Sequence, residues 1–140
     1  MRIKTSWISF PTKGRFEIVN ITDALKEHLV ETKMTEGNVL VFASGSTCGI
    51  TTVEYEPGLL QDVKDFFERI IPEGMQYQHD ECWHDGNGHS HVRSSFLKNS
   101  LTIPFFSSEL LLGTWQQVVF IEFDNKARTR KVCLQFIGEA

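Results

Sequence analysis

Gln117-Val-Val-Phe-Ile-Glu-Phe-Asp-Asn-Lys-Ala-Arg-Thr-Arg-Lys-Val-Cys-Leu-Gln-Phe-Ile137 decides the fold. Val119, Ile121 and Phe123 alternate with Val118, Phe120 and Glu122, the two-residue period of a strand. Asp124-Asn125 marks a turn, because short polar side chains of this kind hydrogen-bond to nearby backbone. Beyond it Val132, Leu134 and Phe136 share one face of a second strand over Arg128 to Ile137. Short apolar segments precede this pair at Leu101–Ile103 and Leu110–Leu112. Strands therefore concentrate late in the chain, which predicts an α+β fold with mainly antiparallel pairing.

Upstream, Ile3 to Phe10 reads as a strand, Pro11-Thr-Lys-Gly14 as a turn, and Arg15 to Val19 as the returning strand of a hairpin. Ile21, Leu25 and Leu29 recur at four-residue spacing. This predicts a helix from Asp23 to about Met34, with Thr22 as N-cap and Gly37 following its end. Val39 to Ala43 is apolar on both faces, as in a central strand covered on both sides. Ile50 to Tyr55 reads as another strand. Pro57 opens a second helix with an apolar stripe of Leu59, Val63, Phe66, Phe67 and Ile70, and Pro72 ends it. The expectation is seven or eight strands, packed as a sandwich of antiparallel sheets with two α-helices, in a single domain over residues 1–140.

Composition limits the function classes. The chain has 140 residues, 41% hydrophobic and 23% charged, a globular balance that excludes a disordered chain. Its longest apolar run, Val39 to Ala43, is far short of the roughly 20 residues a membrane span needs. Met1 to Ser6 has no apolar run behind its charges, so no secretory signal and no membrane partner are expected. The net charge is −4, and the only dense basic stretch, Lys126 to Lys131, lies within a strand pattern. Nucleic acid is therefore not an expected partner. Cys48, Cys82 and Cys133 are odd in number with no CxxC pair, which points to a reducing, cytoplasmic setting. A core of this size would gain from oligomerisation.

Chemistry-bearing residues concentrate between Gly74 and Val92, a stretch with little periodicity, read as a long functional loop. It holds His79, His84, His89 and His91, mixed with Asp80, Glu81, Asp85 and Asn87. In an extended backbone His89 and His91 would project to the same side. With His79 they form a candidate metal set for zinc or another divalent ion; imidazoles equally serve phosphate binding or acid–base catalysis. Arg93 would continue that side, with a phosphate as its natural partner. Thr47-Cys48-Gly49 offers backbone N–H groups to an anion. Cys48 is a candidate nucleophile or thiolate ligand, or else a small buried side chain. Glu56 suits a helix start, whereas Glu54, on the opposite face, is a candidate acid–base group or magnesium ligand. In Gly113-Thr-Trp-Gln116, Trp115 either joins the core or walls a planar substrate.

Taken together, Ser46-Thr-Cys-Gly-Ile-Thr-Thr-Val-Glu54, Tyr77-Gln-His79, Asp85-Gly-Asn-Gly-His-Ser-His91, Gly113-Thr-Trp-Gln116 and the closing Ile137-Gly-Glu resemble the YjbQ-like family, described as secondary thiamine-phosphate synthases. The likeness spans nearly the whole chain. It implies a compact α+β domain in a homotrimer, with ligand clefts between subunits. It also implies a reaction joining hydroxymethylpyrimidine pyrophosphate to a thiazole phosphate, with release of pyrophosphate. The family's site residues carry over to Glu54, His79, Asn87, His91, Thr114, Trp115 and Gln116. His89 stands where many members have an acidic residue. Gly45 stands where many have histidine, and Cys48 is a candidate to replace it. On this reading Arg93, the histidines and a magnesium or zinc ion bind the pyrophosphate. Trp115 stacks on a ring, Thr114 and Gln116 hydrogen-bond to the substrate, and Glu54 orients the aminopyrimidine. The ligand is a small phosphorylated heterocycle, and no organic cofactor is expected. Two other classes compete: a metal-dependent hydrolase, and a non-catalytic trimer that binds a small anion or metal.

Overall fold

Antiparallel pairing organises the whole chain. A computed structural model describes residues 1–140. In order, the elements are β1 (Arg2–Thr12), β2 (Glu17–Asn20), α1 (Thr22–Thr32), β3 (Glu36–Ala43), β4 (Cys48–Val53), α2 (Pro57–Ile70), α3 (Gln78–Trp83), α4 (Gly88–Leu97), β5 (Ser100–Phe106), β6 (Glu109–Leu110), β7 (Gln117–Glu122) and β8 (Arg128–Glu139). A large sheet has the order β1-β8-β3-β5-β6, and a small one β2-β7-β4. Every pairing is antiparallel. The sheets face each other across one core that joins Val39, Val41, Leu134 and Phe136 of the large sheet to Ile50, Val118 and Phe120 of the small one. Leu25 and Leu29 of α1 complete it. On the far side of the small sheet, Val119, Ile121 and Phe123 pack with Phe67 of α2.

Five expectations are corrected. The first two strands form no hairpin: β1 pairs with β8 and β2 with β7. Gly14, Arg15 and Phe16 all take positive φ between them, which turns the chain from one sheet to the other. The strand covered on both faces is β7. β3 is central, with β8 and β5 on its flanks, but its outer face leaves Leu40 and Phe42 exposed. There are four helices, not two, because α3 and α4 occupy the presumed loop. Finally, Thr22 lies inside α1 and serves to tie the helix to β7: its Oγ1 accepts from the Val118 N–H at 2.8 Å. Asn20 Oδ1 accepts from the Thr22 N–H instead.

Gly37 is likewise no helix terminator; α1 ends at Lys33, in left-handed conformation. Gly37 pairs with Gly138 in the β3–β8 ladder. A Cβ on Gly138 would lie 2.2 Å from the Glu36 carbonyl oxygen, and one on Gly37 2.1 Å from that of Ile137. Gly138→Ala is therefore expected to cost about 1–3 kcal/mol, as overpacking does, read as a lower urea midpoint. A parent-like midpoint would mean that the strands part there freely.

α2 follows its sequence signals. Pro57 is the first residue, and the Glu56 carboxylate accepts from the N–H groups of Gly58 and Leu59 at 2.9 and 2.8 Å. These bonds hold the Glu56 carboxyl below its ordinary range. α4 is built differently: it buries Gly88, His89, Ser90, Arg93 and Ser94. Ser90 Oγ donates to the Phe123 carbonyl, and Ser94 Oγ to the Cys48 carbonyl at 2.6 Å. The helix is thus docked on the small sheet by hydroxyl-to-carbonyl bonds. No helix is long and apolar enough to cross a membrane.

Candidate functional site

His79 and His91 meet although twelve residues separate them in sequence. Their ring centroids are 4.4 Å apart and their planes tilted by 37°. His79 Nδ1 lies 3.3 Å from Asp80 Oδ1 and 3.5 Å from Asp85 Oδ1. Asp80 Oδ1 also accepts from the Gly88 N–H at 2.8 Å, which clamps α3 to the start of α4. Gly88 has to be glycine for this fit, since a Cβ there would lie 2.6 Å from Tyr77 Cβ. Burial, and then the positive charge of a protonated His79, pushes His91 below the ordinary histidine range.

Beneath this pair lies a buried polar network. Asn87 Nδ2 donates to Asp124 Oδ1 at 3.2 Å, while Thr47 Oγ1 donates to Asp124 Oδ2 at 3.2 Å. Arg128 closes on Asp124 Oδ2 through Nε at 2.9 Å and Nη2 at 2.7 Å. Burial opposes the Asp124 charge, but the bonds from Arg128, Asn87 and the Asn125 N–H prevail and hold its pKa low. Next to it, fully buried Glu122 accepts from Thr12 Oγ1 at 2.7 Å, from the Asp124 N–H at 3.0 Å, and from Arg130. Asn87 Oδ1 is buried with no partner.

The helix separates residues that an extended chain would have aligned. Positions two apart on an α-helix point about 200° away from each other. His89 accordingly turns to the other side of α4, where with Arg93 it lines a different cavity. Arg93 does not reach the His79–His91 pair; its Nε donates to the Ile71 carbonyl at 2.9 Å and its Nη2 to Glu68 at 3.0 Å. Of the expected metal set His79, His89 and His91, only His79 belongs to a group of adjacent ligand atoms. Its companions are Asp80 and Asp85, all within 4.8 Å of one another. One imidazole and two carboxylates form a donor set that fits a hard or borderline divalent ion, and the unpartnered Asn87 oxygen is of the same type. Asp80 and Asp85 were recognisable beforehand only as acids among histidines.

Cys48 is 1% exposed and packs in the core. Burial pushes its thiol up to about 11, so it is protonated at neutral pH. Its Sγ, with an Arg130 nitrogen, sits against the space a side chain on Gly45 would occupy, 3.1 and 2.9 Å from an added Cβ. Cys82 is exposed and Cys133 partly buried.

The remaining candidates gather elsewhere. Glu54, Thr114 and Trp115 line an open cavity of about 560 Å³ with Asn20 and Tyr55. The Trp115 indole is 72% exposed. Gln116 shapes this turn: its Oε1 accepts from the Gly113 N–H at 2.7 Å and its Nε2 donates to Thr52 Oγ1 at 3.3 Å. In the β4–β7 ladder, Cys48 pairs with Glu122 at the histidine end and Val53 with Gln117 at the Trp115 end. Five strand steps of about 3.4 Å separate the two clusters by roughly 17 Å. They do not share one small pocket within a single chain.

Two facing antiparallel sheets, with a histidine–carboxylate cluster at one end of the small sheet and a Gly-Thr-Trp-Gln turn at the other, define a class of small α+β proteins with a polar site at the sheet ends. The chain belongs to the YjbQ-like (UPF0047) family, whose profile matches residues 6–139. A UPF0047 protein of Archaeoglobus fulgidus is 39% identical over 128 residues, covering 91% of this chain and 97% of its own. The Bacillus subtilis UPF0047 protein YugU is 32% identical over 133 residues, covering 94% and 97%. The crystal structure of a YbjQ-like protein of unknown function from Sulfolobus solfataricus superposes with a TM-score of 0.88 at 26% identity, covering 99% of this chain and 100% of its own. A hypothetical protein from Aeropyrum pernix gives 0.90 at 29% identity, covering 97% and 99%.

The site is expected to make folding pH-dependent. His89 and His91 are both held below the ordinary histidine range, chiefly by burial. The unfolded chain therefore binds more protons as pH falls below about 6.5, and stability declines from there. Asp124, held low in the fold, adds a second loss as pH falls below about 3.9 and through its folded value. Melting temperature is expected to fall in two stages on acidification, and His89→Gln is expected to shrink the first. A flat melting temperature from pH 7.5 to 5 would refute the assignment.

Proposed function

We propose that the chain is a transferase of the secondary thiamine-phosphate synthase type. It would join hydroxymethylpyrimidine pyrophosphate to a thiazole phosphate, working as a homotrimer. The observation that carries the reading is the close, tilted His79–His91 pair, with Asp80 and Asp85 against His79 and an unpartnered Asn87 oxygen at the start of α4. In the reaction the bond from the pyrimidine methylene carbon to the pyrophosphate oxygen breaks, and its electron pair leaves with pyrophosphate. The thiazole nitrogen forms the new bond to that carbon. The main task is to stabilise the charge on the leaving group. His91, neutral at pH 7, donates a ring N–H to a pyrophosphate oxygen, and His79 holds His91 in place. A divalent ion, magnesium or zinc, would be held by His79, Asp80 and Asp85 and would neutralise pyrophosphate charge. Asn87 Oδ1 accepts a hydrogen bond from the aminopyrimidine.

A second copy of the chain supplies the other half. The Thr114–Gln116 turn and Glu54 lie roughly 17 Å from the histidines in their own protomer. They complete the site when a neighbouring copy brings them across, with Trp115 stacking on a heterocycle. The outer face of the large sheet supports assembly: Ile3, Trp7, Leu40, Phe42 and Phe106 are exposed on it, an apolar surface suited to burial between copies.

The test is product formation from the two precursors with magnesium, followed by mass spectrometry. Protein would be purified from a host lacking its own thiamine-phosphate synthase, with molar mass measured by sedimentation. Thiamine phosphate from a trimer supports the reading. Pyrophosphate release without coupling would mark a hydrolase, and ligand-induced stabilisation without turnover a binding protein; either replaces it.

A further inference from the structure

On the opposite side of α4 from His91, a cavity of about 200 Å³ is lined by Arg15, Lys64, Glu68, Glu73, His89 and Arg93. Three cations face two carboxylates, which leaves one positive charge in excess. Both carboxylates are already engaged. Glu68 accepts from Arg93 at 3.0 Å and from the Glu73 N–H at 3.3 Å, and Glu73 pairs with Arg15 at 2.9 Å. The unused groups are donors: Lys64 makes no ion pair, and Arg93 keeps Nη1 uncommitted. Arg93 is 4% exposed and held rigidly, with its guanidinium carbon 5.8 Å from the Phe16 ring centroid. The ligand that complements these donors is an anion.

His89 narrows the choice. It is 2% exposed and its Nδ1 has no partner. Its Nε2 lies 3.3 Å from Ser90 Oγ, and the one hydroxyl proton of Ser90 is given to the Phe123 carbonyl. Nε2 must therefore carry the hydrogen in this contact, which leaves neutral Nδ1 as an acceptor. The missing partner of an acceptor is a donor. An anion that also carries its own hydroxyl satisfies both demands.

We propose that this cavity is a second, separate site that binds hydrogenphosphate: Lys64 and Arg93 donate to its anionic oxygens, and His89 Nδ1 accepts from its P–OH. Phe16 and Phe123 form the apolar wall of the cavity. Sulfate has the same shape but no hydroxyl at neutral pH, so it leaves Nδ1 unsatisfied. The site thus discriminates between two oxyanions that a simple basic patch would treat alike.

Isothermal titration of the whole protein at pH 7, with inorganic phosphate and then sulfate at matched ionic strength, tests this. Saturable phosphate binding is expected, with sulfate at least several-fold weaker. Lys64→Ala, an exposed position that leaves folding intact, is expected to weaken phosphate binding roughly tenfold, the effect of one charge-assisted hydrogen bond. His91→Ala is expected to bind phosphate as the parent does. Absence of saturable phosphate binding overturns the proposal. So does equal affinity for sulfate, and so does binding that survives Lys64→Ala but is lost in His91→Ala, which would place the anion at the other site.

Discussion

Glu122→Ala is expected to destabilise the fold by about 3–5 kcal/mol, the effect of leaving a buried charge without its partner. Glu122 is fully buried, and Arg130 is 11% exposed across from it. The carboxylate also accepts from Thr12 Oγ1 and from the Asp124 N–H. Its removal strands three donors drawn from β1, β8 and the β7–β8 connection. The arginine cannot simply swing into water, because it is anchored to Thr47 Oγ1 at 2.8 Å and lies over the Phe120 ring. The double variant Glu122→Ala with Arg130→Met removes the orphaned charge and is expected to recover part of the loss. Chemical denaturation of both variants at pH 7 checks this. A single variant within about 1 kcal/mol of the parent, the range of a surface pair, would show that the pair is solvated in solution.

On the proposed function, His91→Ala is expected to lower the condensation rate by about 100-fold or more, the range for one positioned proton-handling group. The fold should survive. His91 is only partly buried, and the serines that dock α4 on the small sheet and Arg93, which ties it to the end of α2, are untouched. The far-ultraviolet spectrum and the sedimentation coefficient should match those of the parent. His91→Gln, which keeps a donor, should retain more activity than His91→Ala if the role is hydrogen bonding to the leaving group. Parent-like turnover by His91→Ala would remove the cluster from the reaction. Because the phosphate cavity lies on the opposite face of α4, that outcome would leave the hydrogenphosphate proposal standing.

What could be read in the sequence depended on what each element buries. β7 and β8 announce themselves through the apolar side chains they bury, and α2 through Glu56 and Pro57 at its start and an apolar stripe of which only Phe67 is buried. α4 does not, because Gly88, His89, Ser90, Arg93 and Ser94 are the residues it buries. Apolar periodicity is blind to a helix fastened by serine hydroxyls and an arginine. The β1–β2 hairpin was misleading for another reason: a turn followed by a strand says nothing about which sheet receives it. Val39 to Ala43 reads as covered on both faces, whereas Leu40 and Phe42 lie on an exposed face, and apolar character alone does not tell the two apart.

For the site, the residues were legible and their grouping was not. His79, Asn87, His91, Trp115 and Gln116 stand in recognisable motifs. Whether His89 joins His91 depends on local conformation, and a helix sends the two in opposite directions. Whether Trp115 joins the histidines depends on the β4–β7 register, which no motif spacing encodes.

The two helices that supply the histidine pair differ in how firmly they are rooted. α3, which carries His79, buries none of its residues, whereas α4 buries five. Local opening free energy follows buried contacts, so α3 is a unit that can unfold by itself while α4 opens only with the sheet beneath it. Half of the pair therefore stands on firmly buried scaffold and half on a helix held mainly by its contact with the start of α4. Local opening of Gln78–Trp83 would release one half of any ligand that bridges the two helices, so its departure need not wait for the sheet to open.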